Sequence, residues 1–189
     1  MLIRALSLIL VGGMLCAIPA FSQAEDASEA QTFEAKDLKI QVPAAWKQKP
    51  NSSQLRLAQF EIPAVEGDEA AAELVLFPPF GGSASENVKR WINQFAADGR
   101  SATVSQGTSE QGKYVIVDVS GTFNKPDGPP VRQKTVPTPG YRMFAVLLTT
   151  KSGNYSMKLT GPQKTVDSVA EAFRKSFGAD QSKEEKFEF

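Results

Sequence analysis

Apolar positions in this chain follow three successive patterns. Residues 6–17 (LSLILVGGMLCA) are an apolar run with no charge in it, preceded by Arg4 and followed by Pro19, Ser22-Gln23-Ala24 and the acids Glu25 and Asp26. A positive start, a short apolar stretch and small side chains at the −3 and −1 positions predict a signal peptide over residues 1–24, cut after Ala24. About twelve residues fall short of the roughly 20 needed to cross a bilayer as a helix. No later segment comes close, so the mature chain is expected to have no transmembrane span. Leu15 precedes Cys16 where a lipoprotein signal would need a small residue, so Cys16 reads as part of the export signal.

Residues 25–31 are polar and alanine-rich with no apolar period, and predict a flexible leader. From Phe33 the period becomes two. Leu38, Ile40 and Val42 alternate with polar residues until Pro43, and Trp46 follows in a turn. Leu55 and Leu57 alternate in one phase and Ala58, Phe60 and Ile62 in the other, which predicts one strand with a bulge near 57–58. Residues 73–77 give a third strand, joined to the second as a hairpin across the acidic turn 66–69. Residues 102–108 form a modest strand, and residues 114–123 carry the strongest β pattern. There Val115, Val117 and Val119 share one face while Tyr114, Ile116 and Asp118 share the other, as in a central strand covered on both sides. Residues 124–140 are proline-rich and aperiodic, and predict a long irregular loop. A further hairpin spans residues 143–149 and 155–159.

The third pattern is helical. Ser83 with Glu86 three residues on is a capping-box signature, and Val88, Trp91, Ile92 and Phe95 follow at i, i+3, i+4 and i+7. This helix is expected to run to Gly99. A second begins at Pro162, carries Val166, Val169, Ala170, Phe173 and Phe177, and ends at Gly178. The expected fold class is therefore α+β, a twisted antiparallel sheet flanked by two main helices. One domain is expected over residues 32–179 with no internal repeat. The charged residues 180–189 are predicted to be a disordered tail, because ordering each costs about 1–2 kcal/mol.

The order of elements and two local phrases resemble the PsbP-like superfamily, which includes extrinsic lumenal proteins of photosystem II and exported bacterial proteins. The phrases are Val42-Pro43-Ala44-Ala45-Trp46-Lys47, and Tyr155-Ser156-Met157-Lys158-Leu159-Thr160-Gly161-Pro162 running into the last helix. The resemblance implies a PsbP-like sandwich that docks onto partners or ligands without covalent chemistry. Histidine metal sites of photosynthetic members do not carry over, since this chain has no histidine.

Composition narrows the chemistry further. Lysine plus arginine equals aspartate plus glutamate at 21 each, and removing Arg4 leaves the mature chain at 20 against 21. That balance does not suggest a nucleic-acid binder. With no histidine and no cysteine beyond Cys16, there is no Ser-His-Asp or Cys-His apparatus and no usual zinc site, and no P-loop or dinucleotide fingerprint occurs. No cofactor and no metal site is expected. Glu66, Asp68 and Glu69 lack the spacing of a calcium loop and read as a solvated turn. Gly81-Gly82-Ser83 reads as a helix cap and Trp91 as core.

The expected function is an exported, non-enzymatic binding or protein-interaction module of the cell envelope, periplasmic or secreted, with an unidentified protein or small molecule as partner. Its candidate contact residues are Trp46 and the basic positions Lys125, Arg132, Lys134 and Arg142 in or beside the proline-rich segment. The alternative is a carboxylate enzyme acting on an extracytoplasmic small molecule, with Asp118 as its acid or base. A third reading is a secreted structural component.

Overall fold

A computed structural model describes residues 30–128 and 134–189. The alternating segments form ten strands: β1 (Gln31–Ala35), β2 (Leu38–Val42), β3 (Lys47–Lys49), β4 (Ala58–Ile62), β5 (Ala72–Phe77), β6 (Ser101–Ser109), β7 (Gly112–Pro126), β8 (Thr135–Thr150), β9 (Gly153–Pro162) and β10 (Glu185–Lys186). The helices are α1 (Ala84–Ile92), α2 (Gln163–Ser168) and α3 (Ala170–Ser176). β1 and β2 make a separate hairpin, and the other eight make one antiparallel sheet in the order β10-β6-β7-β8-β9-β5-β4-β3.

Side-chain alternation divides the large sheet between two cores. Tyr114 and Ile116 of β7, with Phe144, Val146 and Leu148 of β8, enter the larger one, beneath β2, Trp46, Val166, Phe173 and Phe177. Val117 and Val119, with Met143, Ala145 and Leu147, enter the smaller one, beneath Val88 and Trp91 of α1 and Phe95. β7 and β8 are thus covered on both sides, as the valine pattern predicts. Close strand approach also shows at the β6–β7 turn, where a Cβ on Gly112 would stand 1.9 Å from the Thr149 carbonyl oxygen.

Several elements depart from expectation. Gln31, placed in the leader, begins β1, and its side-chain amide donates to the carbonyls of Pro43 and Trp46. The bulged strand starts only at Ala58. Before it, Leu55 N–H donates to Ser53 Oγ and Asn51 bonds the Arg56 and Leu57 carbonyls, so a local turn wins and Leu55 points outward.

The helix expected to reach Gly99 stops at Ile92, because Gln94 and Ala96 leave it to bond the backbone of β7 at Asn124 and Thr122. Phe95 still reaches its core by bridging Phe123. The capping box is present, with Glu86 N–H on Ser83 Oγ and Ser83 N–H on Glu86. The last helix is two helices rather than one, since Val169 N–H bonds Val166 three residues back and leaves the α-helical ladder.

The proline-rich segment is no irregular loop where it is described. β7 and β8 continue past a register shift at Gly121 and Phe123 as a two-stranded arm, Phe123 facing Thr138 and Pro126 facing Thr135. Beyond Asn124, where Gln94 and Ala96 no longer bond β7, the outer sides of the arm leave room for a proline nitrogen at no cost in ladder bonds. The tail is ordered too. Gln181–Lys183 form a 3₁₀ turn, β10 pairs with the edge of β6, and Phe187 N–H bonds the Val104 carbonyl.

Candidate functional site

The candidate surface follows from a mismatch of lengths. Eight strands at about 4.8 Å spacing make a sheet roughly 34 Å wide, whereas nine-residue α1 is about 13 Å long. α1 covers the β6–β8 half of its face, and the β9–β5–β4–β3 half extends beyond the reach of α1. Strand alternation places Gln59 and Glu61 there opposite buried Ala58, Phe60 and Ile62, with Glu73, Val75 and Phe77 of β5 and Lys158 and Thr160 of β9. Register aligns Lys49, Gln59, Val75 and Lys158 in one row across four neighbouring strands.

The β7–β8 arm rises along this half-face and turns it into a cleft of about 480 Å³. Its wall carries Phe123 and Tyr141, whose rings stack at 5.9 Å with planes 9° apart, and Lys125 beyond them. Gln94, just past α1, closes one side.

Four cations and two acids line the cleft, and their pairing is unequal. Lys49 Nζ lies 3.1 Å from Glu61, and Arg56 lies 3.3 Å from Glu73. Gln59 ties the second pair together, accepting from Arg56 at 2.8 Å and donating to Glu73 at 2.6 Å. Among the described residues Lys158 bonds a neutral partner, donating to Gln94 Oε1 at 2.6 Å. Lys125 is exposed and makes no ion pair among the described residues.

Burial is the main influence on Lys158, and the positive charges of Arg56 and Arg90 add to it against a smaller opposing pull from Glu73; together they lower its amine from 10.5 to about 8. Between these values the unfolded chain holds a proton that the folded chain has shed, so stability rises with pH from about 8 to 10.5. Below pH 8 the penalty for keeping Lys158 charged is fully present. Lys158→Met is therefore expected to melt higher than the parent protein at pH 7, with the gap closing between pH 8 and 10.5, as calorimetry across that range would read.

The residues singled out from sequence divide sharply. Lys125 lines the cleft. Trp46 does not, because it is 3% exposed in the larger core on the other side of the sheet. Lys134 pairs with Asp127 near the tip of the arm. Arg132, Ala24 and the whole of residues 1–29 lie outside the described residues.

Arg142 is a clip between elements rather than an open contact. It donates to both oxygens of Asp118 at 2.8 and 2.6 Å and to Asp167 at 2.5 Å, and sits 4.5 Å over the Phe144 ring. Hydrogen bonds donated first to Asp118 and then to Asp167 hold its charge more firmly than usual. Asp118 is committed to that pair and lines no part of the cleft. In the acidic turn, Asp68 accepts from Thr165 N–H at 2.8 Å and its hydroxyl at 2.6 Å, anchoring the first turn of α2. No cluster of three metal-ligating side chains occurs among the described residues.

Among the described residues the chain is α+β, a largely antiparallel sheet with a side hairpin and three α-helices. The chain is similar to the solution structure of cyanobacterial PsbP (CyanoP) from Synechocystis sp. PCC 6803, with a TM-score of 0.50, 12% identity, and coverage of 93% of this chain and 100% of that one. It also matches the crystal structure of PA94 from Pseudomonas aeruginosa, a protein of unknown function described as a putative regulator, with a TM-score of 0.44, 14% identity, and coverage of 78% and 92%. No family model and no curated protein matches the chain. The fold is PsbP-like, and at 12% identity the likeness concerns the fold alone. Among the described residues no helix is long and apolar enough to cross a membrane.

Proposed function

We propose that this PsbP-like chain is an exported, non-enzymatic binding module of the cell envelope, and that it takes its ligand or partner in the cleft on the half of the sheet beyond α1. The observation that carries this reading is Lys158, a charge kept among apolar strand neighbours at a cost to stability and given a neutral partner among the described residues. Such groups concentrate at functional sites. Engagement of Asp118 by Arg142 supports binding over carboxylate catalysis. Export rests on the signal-peptide pattern, and predicts a mature protein that begins at Glu25.

The test is site-specific photo-crosslinking in the producing cell. Benzoylphenylalanine at Tyr141, on the cleft wall, is expected to give adducts in the envelope fraction, read by intact mass. The same group at Lys39, exposed on β2, is expected to give none. Equal labelling at both positions, or none at Tyr141, would remove the reading. N-terminal sequencing of the same material checks cleavage after Ala24.

A further inference from the structure

We propose that the cleft binds a small organic anion, its charged head held by the ammonium group of Lys158 and its apolar body lying along the stacked Phe123–Tyr141 pair toward the positive charge of Lys125. This rests on the reading of the cleft as the binding site and adds the class of ligand.

Three observations point the same way. In a chain with equal numbers of basic and acidic residues, the cleft holds cations in excess. Glu61 and Glu73 answer Lys49 and Arg56, which leaves the positive charges of Lys158 and Lys125 without a carboxylate among the described residues. A neutral ligand would cover Lys158 and leave it desolvated with Gln94 alone, and a cation would meet like charge from Arg56 and Lys158 together. Only an anion supplies the missing partner.

The second observation is the apolar surface beside these charges. Val75, only 4% exposed, floors the cleft across the β5–β9 register from Lys158, and the half-buried rings of Phe77 and Tyr141 supply the apolar surface that stays open. The wall offers aromatic rings already fixed by stacking on each other. The third is size, since about 480 Å³ falls within the range of sites for small molecules. Two cations without a carboxylate partner among the described residues do not suffice for a polyanion such as nucleic acid, which needs many phosphate contacts.

The experiment is a titration of isotope-labelled mature protein, followed by NMR, with four probes that share an eight-carbon chain: octanoate, octyl phosphate, octyltrimethylammonium and octanol. Octanoate or octyl phosphate is expected to shift Val75, Tyr141 and Lys158 saturably, and the tighter of the two tells a carboxylate site from a phosphate site. Lys158→Gln is expected to weaken that binding about tenfold or more, the effect of losing a charge-assisted hydrogen bond. Lys125→Gln, at an exposed position, weakens it without bearing on folding. If octanol or octyltrimethylammonium fills the cleft as tightly as the anions, or if neither lysine variant changes the anion affinity, the inference falls while the cleft stands as a binding site. If none of the four moves the cleft residues, the ligand class and the cleft reading fall together.

Discussion

Glu184→Ala is expected to destabilise the protein by about 3–5 kcal/mol, the cost of leaving a buried charge without its partner. Arg174 and Glu184 have side chains only 8% and 6% exposed, and they meet through Nε–Oε1 at 2.9 Å and Nη2–Oε2 at 3.4 Å. Arg174 also lies 5.0 Å over the Phe144 ring, so removing the carboxylate leaves a largely buried charge against an aromatic face. Tyr114 donates to the same Glu184 oxygen, and burial together with the Glu184 charge pushes its phenol up to about 12. Urea unfolding measures the loss, and hydrogen exchange is expected to show β10 freed from β6. The double substitution Arg174→Met with Glu184→Leu should recover most of the stability, because it removes both charges together.

Trp46→Ala is expected to cost about 3–5 kcal/mol and to leave the octanoate affinity of the cleft unchanged. Trp46 closes the larger core from the turn after β2, its N–H bonded to the Pro43 carbonyl at 2.9 Å and its own carbonyl held by the Gln31 amide. A tryptophan that stacked on ligand would behave the opposite way, with modest loss of stability and a large loss of binding. Denaturation monitored by circular dichroism and the NMR titration separate the two cases.

Both residues show where sequence reading stops. Trp46 lies beyond a strand end with no periodic neighbours, so nothing local distinguishes a core plug from a surface ring. The partner that orders the tail is ten residues away on α3, and a tail of alternating charges contains no hint of a buried arginine. Local devices were legible: the capping box of Ser83 and Glu86, the two faces of β7, and the stop at Gly178, whose φ of +78° suits glycine.

The cleft was half legible. Lys125 stood out because it is basic within a proline-rich segment. Lys158 did not, although it is a lone charge between Met157 and Leu159, because a strand residue out of phase with its apolar neighbours ordinarily faces water. What sends it into a cleft is the shortness of α1, set by the bonds of Gln94 and Ala96 to the distant residues Asn124 and Thr122, and the reach of the β7–β8 arm. The arm itself was hidden because prolines argue against a strand unless its free edge is known.

The most direct test of the account is the titration of the Lys158 side chain by carbon NMR, with and without octanoate. A midpoint near 8 is expected in the free protein, rising toward 10.5 when the anion binds and favours the charged amine. A midpoint already near 10.5 in the free protein, or one that octanoate leaves in place, would contradict it.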